Sequence, residues 1–133
     1  MQIIWLYLVT TGIFLGADAV GIRYLVRPVF EAHVGDLLAS PLRLAPAAVF
    51  YLFYVAGVLY FVSLPALRAG APLQALFGGM LLGALAYGTY EFTNYATLQA
   101  WSPMQVAIDL TWGTVLTGVS AWAGVAILSG RVS

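Results

Sequence analysis

Four long apolar runs constrain this chain more than any other feature. They cover roughly residues 3–22, 47–67, 73–98 and 104–128. Each is about 20 residues or longer, and a helix of that length crosses the ~30 Å hydrocarbon core of a bilayer. Lipid offers no partners to backbone N–H and C=O groups, so only helices and closed barrels span it. Runs this long, without polar–apolar alternation, are helices rather than barrel strands. Composition closes off a water-soluble domain. The chain is 62% hydrophobic and 8% charged, with a mean hydropathy of +0.95. A soluble domain carries about 25% charged residues, and this one has too few to cover itself.

The punctuation between the runs sets the expected topology. Arg68, Gly70 and Pro72 make one short turn, and Trp101, Ser102 and Pro103 make another. Short turns between helices force antiparallel neighbours. The first and second runs are separated by a polar connector with Arg23, Arg27, Pro28, Glu31, His33, Asp36, Pro41, Arg43 and Pro46. A short interfacial helix around Pro28 to Leu38 fits there. The expected fold is all-α: one domain over residues 1–133, a four-helix transmembrane bundle. Ala17-Asp18-Ala19 resembles a signal-peptide cleavage site, but no Lys or Arg precedes the apolar core, so the first run reads as a retained helix.

Charge says little about orientation. Call the amino-terminal side face A and the connector side face B. Face A receives Arg68 and Arg131; face B receives Arg23, Arg27 and Arg43. The positive-inside rule leans toward a cytoplasmic face B. The terminal amine cancels that lean, and the orientation stays open. A net charge of zero with no lysine points away from nucleic acid. The absence of cysteine excludes disulfide and thiolate chemistry. The one histidine, His33, reads as an interfacial residue, so a His-rich metal site is excluded and no metal is assigned. No nucleophile, phosphate-loop or nucleotide motif is present, and no cofactor is identified.

Small residues mark where helices approach. Ala75, Gly79 and Gly83 recur every fourth residue on the third run, as do Gly113, Thr117 and Ala121 on the fourth. Such stripes let membrane helices meet backbone to backbone.

The chemistry-bearing groups are three acids inside apolar runs: Asp18, Glu91 and Asp109. A carboxylate deep in lipid costs a few kcal/mol or more, so such residues face a bundle interior and lean functional. With spans running alternately between the faces, all three acids fall in the half of the membrane toward face B. Helical phase groups other residues with them. Tyr87, Glu91 and Asn94 share a stripe, with Tyr90 at its edge. Asp109 aligns with Gly113 and Ser120, with Trp112 alongside. Tyr7, Thr11 and Asp18 align on the first run, and Tyr51 and Tyr54 begin the second at the same depth. The expected site is a shared polar pocket of Asp18, Tyr51, Tyr54, Tyr87, Tyr90, Glu91, Asn94, Asp109 and Trp112, opening toward face B. Arg23 is the nearest cation, about 7.5 Å from Asp18 along the helix axis, and Arg27 and Arg43 are placed to fold over the pocket mouth. Trp5, Trp101 and tyrosines near helix ends read as interface anchors. The same cluster also fits a purely structural role, as interhelical hydrogen-bonded glue.

The segments "DAV", "AVFYLFYVAGVLYFVSLPALRAG", "YGTYEFTNYATLQAW" and "IDLTWGTVLTG" together resemble the DUF2177 family of small bacterial membrane proteins. The resemblance spans nearly the whole chain. Where the family pattern reads Tyr-Asp-Leu-Thr-Asn, this chain has Tyr90-Glu91-Phe92-Thr93-Asn94, with an acid one methylene longer. Where the family tends to carry tryptophan after the first acid, this chain has Val20 and Gly21. The resemblance implies four helices and a bacterial inner membrane, and through the apparent company of fatty-acid-modifying genes it implies lipid chemistry. Three functions fit: binding, or assisting the modification of, a lipid-like or isoprenoid molecule; an accessory subunit of a respiratory or photosynthetic complex; and a small proton-coupled transporter acting as an oligomer. The expected partners are the lipid bilayer and either other membrane subunits or further copies of the chain.

Overall fold

The computed structural model describes residues 2–34 and 44–132. Helix α1 (Gln2–Gly21) passes through a wider π-helical turn, Ile22–Val26, directly into α2 (Arg27–Val34). Helix α3 (Leu44–Val58) passes through a second π-helical turn, Leu59–Ser63, into α4 (Leu64–Ala69). Helices α5 (Pro72–Thr97) and α6 (Pro103–Val132) complete the chain. The described residues include no strand.

The connector expected from Arg23 onward is therefore helical as far as Val34, and proline explains how. A proline ring in a regular α-helix clashes with the carbonyl four residues back and removes one hydrogen bond. Both π-helical turns end two residues ahead of a proline, Pro28 and Pro65. In each the bond is one residue longer than α-helical: Arg27 N–H reaches the Ile22 carbonyl, and Leu64 N–H reaches Leu59. The widened turn absorbs the misfit and the helix continues instead of breaking. Helix α2 covers the first part of the expected interfacial helix. Residues 35–43, including Asp36, Pro41 and Arg43, lie outside the described residues, as do the side chains of Glu31, His33 and Arg131.

The turn after α4 is built on Gly70, the one described residue with positive φ (63°). Gly70 N–H bonds to the Leu67 carbonyl and Ala71 N–H to Ala66, which ends the helix in a Schellman motif. Pro72 then opens α5 at a position where no N–H is missed. Helix α6 starts with a reciprocal capping box. Ser102 Oγ accepts from Gln105 N–H (3.2 Å), and Gln105 Oε1 accepts from Ser102 N–H (2.8 Å).

Three helical stretches, Gln2–Leu25, Ala45–Ala69 and Pro103–Ser129, are long and apolar enough to cross a membrane. Helix α5 has 26 residues, long enough as well. Its later part carries Glu91, Asn94, Thr89, Thr93 and Thr97, which lowers its mean hydropathy.

Helix α6 is the common partner in the packing, lying along α5 and α1. The small-residue stripes meet: a Cβ on Gly79 would lie 2.8 Å from Gly118 Cα and 2.9 Å from the Thr117 carbonyl. One on Gly83 would lie 2.5 Å from the Gly113 carbonyl. On the other side of α6, Gly124 faces Thr10 and Leu6 of α1. Leu6, Phe14, Val55, Val58, Ala75, Leu116, Ala121 and Val125 fill the interior. The outer faces are no more polar: Phe50, Phe53, Phe61, Phe77, Leu81 and Leu85 all point away from the bundle. An apolar exterior over an interior that holds the acids is the pattern expected when lipid is the solvent.

Candidate functional site

The three acids come from three helices and are all buried: Asp18 on α1 is 4% exposed, Glu91 on α5 0% and Asp109 on α6 7%. They form a connected group. Trp112 Nε1 donates to Asp18 Oδ1 at 3.2 Å. Tyr51, from α3, stands beside the same carboxyl. Asp109 of α6 stands beside both Asp18 and Glu91. Trp101 Nε1 donates to Glu91 Oε1 at 2.9 Å.

Local sequence explains how these groups are aimed. Gly21 lies one turn beyond Asp18, and the Trp112 indole fills the space where a side chain would stand. That contact lets the indole N–H reach Asp18. Gly113, next along α6, leaves room for the Tyr87 ring in the same way. Tyr87 meets Tyr54 edge-on at 6.3 Å, and the Tyr54 hydroxyl is hydrogen-bonded to Thr117 Oγ1 at 2.9 Å. Phe14 supports the rings of Tyr51 and Tyr54 at 5.8 and 5.6 Å.

Of the nine residues expected at the site, Asp18, Tyr51, Glu91, Asp109 and Trp112 make up the connected acid group, and Tyr54 and Tyr87 line its inner side. Tyr90 and Asn94 sit at the periphery. Tyr90 is 52% exposed, edge-on to Trp101 at 5.9 Å, with Asn94 as its hydrogen-bond neighbour. Tyr7 belongs elsewhere: its hydroxyl donates to the Leu52 carbonyl at 2.9 Å.

Trp101 corrects the reading of that residue as an interface anchor. It is buried, its N–H is committed to Glu91, and Phe30 of α2 covers it edge-on at 5.1 Å. The continuation of the first helix past Arg23 brings Phe30 there. Gln105 escaped notice too, although its place three residues after Ser102 is the signature of a capping box. It is fully buried, and its Nε2 has no hydrogen-bond partner among the described residues. Neither has Glu91 Oε2. Along the chain, Gln105 lies between Trp101 and Asp109, the two residues that engage Glu91.

Residues 3–126 match the family described as a predicted membrane protein, DUF2177. The chain belongs to that family. No curated protein and no solved structure matches it. The matched stretch of this DUF2177 chain includes Asp18, Glu91, Trp101, Asp109 and Trp112.

Proposed function

We propose that this DUF2177 protein is a single-domain, antiparallel four-helix bundle of the bacterial inner membrane, with α5 as its fourth span. In this reading the acid cluster, in the half toward face B, binds the polar end of a lipid-like or isoprenoid molecule. The observation that carries the reading is the pair of open groups, Glu91 Oε2 and Gln105 Nε2, each buried and without a partner among the described residues. Leaving a buried polar group unpaired costs roughly 1–3 kcal/mol, so a native cluster with both open calls for an occupant. A hydroxyl group has the chemistry for either atom, since it donates to a carboxylate oxygen and accepts from an amide. An alcohol headgroup on an apolar tail suits a site enclosed by Trp, Tyr and Phe rings between lipid-facing helices. Glu91 and Asp109 would anchor the headgroup, Trp101 would fix the Glu91 carboxyl, and Tyr87, Tyr90 and Trp112 would border the tail.

Native mass spectrometry of the protein from gentle detergent, with lipid analysis of the released material, tests this. The expected result is a co-purifying hydroxyl-bearing apolar molecule that is lost in Glu91→Gln and in Gln105→Leu. A wild-type spectrum with no bound small molecule would overturn the ligand reading and leave the cluster as structural glue. A stoichiometric partner chain in place of a small molecule would replace it with the accessory-subunit reading.

A further inference from the structure

The opposite end of the molecule holds a second polar feature, with no part in the acid cluster. A cleft of about 430 Å³ opens there, lined by Gln2, Ile3, Leu64, Leu67, Arg68, Gly70 and Ser129. Its position follows from the spans. Gln2 is the first residue of one membrane-capable stretch, Arg68 the last but one of the second, and Ser129 the last of the third. All three therefore lie at one membrane–water boundary. Gln2 and Asp18 are 16 residues apart on α1, about 24 Å at the helical rise. The three carboxylates with described side chains, Asp18, Glu91 and Asp109, are gathered at the far end, so Arg68 has no acidic partner among the described residues. Ser129 Oγ is shielded from solvent and has no hydrogen-bond partner among the described residues. Ile3, Leu64 and Leu67 give the cleft an apolar wall.

We propose that this cleft binds the phosphate headgroup of an anionic membrane lipid. The guanidinium of Arg68 makes charge-assisted, two-pronged contacts to phosphate oxygens. Ser129 Oγ and the Gln2 amide are additional donors, and the acyl chain lies along Ile3, Leu64 and Leu67. The boundary between headgroups and acyl chains is the depth at which a basic pocket between helices meets such lipids. A zwitterionic lipid fits less well, because its own ammonium sits beside the phosphate.

The experiment is native mass spectrometry of delipidated protein titrated with phosphatidylglycerol, phosphatidylcholine or soluble glycerol phosphate. Phosphatidylglycerol is expected to load at one site and to be retained over phosphatidylcholine. Arg68→Gln should reduce that loading about tenfold, the equivalent of one lost charge-assisted contact, with Arg68→Lys intermediate. Ser129→Val, which keeps the charge and the helix, should reduce it a few-fold, so a folding defect in the arginine variant would not decide the matter. Glu91→Gln should leave this loading unchanged, which separates the outcome from that at the acid cluster. Equal retention of both lipids, or unchanged loading in Arg68→Gln and Ser129→Val, would overturn the proposal. Glycerol phosphate binding as tightly as the whole lipid would overturn the lipid assignment.

Discussion

The contact between α5 and α6 makes the sharpest stability prediction. An added methyl at Gly79 would stand 2.8 Å from Gly118 Cα, and at Gly83 2.5 Å from the Gly113 carbonyl, whereas ordinary contact begins at 3.4 Å. The obstacles are backbone atoms and cannot rotate away. The helices must separate locally, by about 0.6 Å at Gly79 and about 0.9 Å at Gly83, and dispersion contacts along the seam weaken with the gap. Overpacking of this kind costs roughly 1–3 kcal/mol. Gly79→Ala and Gly83→Ala should each destabilise by that amount, Gly83→Ala the more. Gly12 and Gly57 have nothing within 4 Å of an added Cβ, so Gly12→Ala and Gly57→Ala should stay within about 0.5 kcal/mol of wild type. The assay is reversible unfolding in mixed micelles titrated with dodecyl sulfate. Helices persist in the unfolded state there, so the midpoint reports packing between helices rather than helix propensity. Equal stability of the Gly79 and Gly12 variants would refute the close approach of α5 and α6.

Further expectations concern the tryptophans and the cap. Trp112→Phe keeps a ring over Gly21 but removes the donor to Asp18, and should cost about 1–3 kcal/mol in the same assay. In Asp18→Asn that penalty should shrink, because the indole then bonds to a neutral amide instead of a buried carboxyl; equal penalties in both backgrounds would argue against the bond. Trp101→Phe should likewise destabilise the protein, while Trp5→Phe, on the lipid face, should leave the midpoint unchanged. Ser102→Ala removes half of the capping box and should cost about 1 kcal/mol, with faster amide exchange confined to the first turn of α6; protection equal to wild type there would contradict the cap.

The parts of the structure governed by local pattern were legible in the sequence. The apolar runs lie on the long helices, although the first helix continues well past the end of its run to Val34, and the small-residue stripes marked where α5 and α6 touch. Span direction and helical phase together singled out Asp18, Glu91 and Asp109, all three of which are buried. What escaped depended on competition between rules. Pro28 amid charged residues looks like a break, but a single widened turn carries the helix past it, and only packing decides between break and bulge. Trp101 beside a turn looks like an interface anchor. It turns inward because Glu91, ten residues earlier, needs a donor and Phe30 covers the ring. Gln105 was readable from its spacing to Ser102, but its unpartnered amide was not, because that depends on what surrounds it. Only part of the low hydropathy of the later α5 belongs to the site: Glu91 is buried among the acids, whereas Thr89, Thr93 and Thr97 are exposed, and Thr89 and Thr97 donate to carbonyls one turn back.

The convergence of the acids can be measured directly, because the chain contains no native cysteine. Paired substitutions Asp18→Cys with Asp109→Cys, and Glu91→Cys with Asp109→Cys, are treated in native membranes with a short thiol-to-thiol cross-linker and read by intact mass. Both pairs should take up one bridging linker, while Asp18→Cys paired with Leu67→Cys, from the other end of the bundle, should take up two singly attached linkers. Single attachment in all three pairs would mean that the acids do not meet, and the account of the site would fail with them.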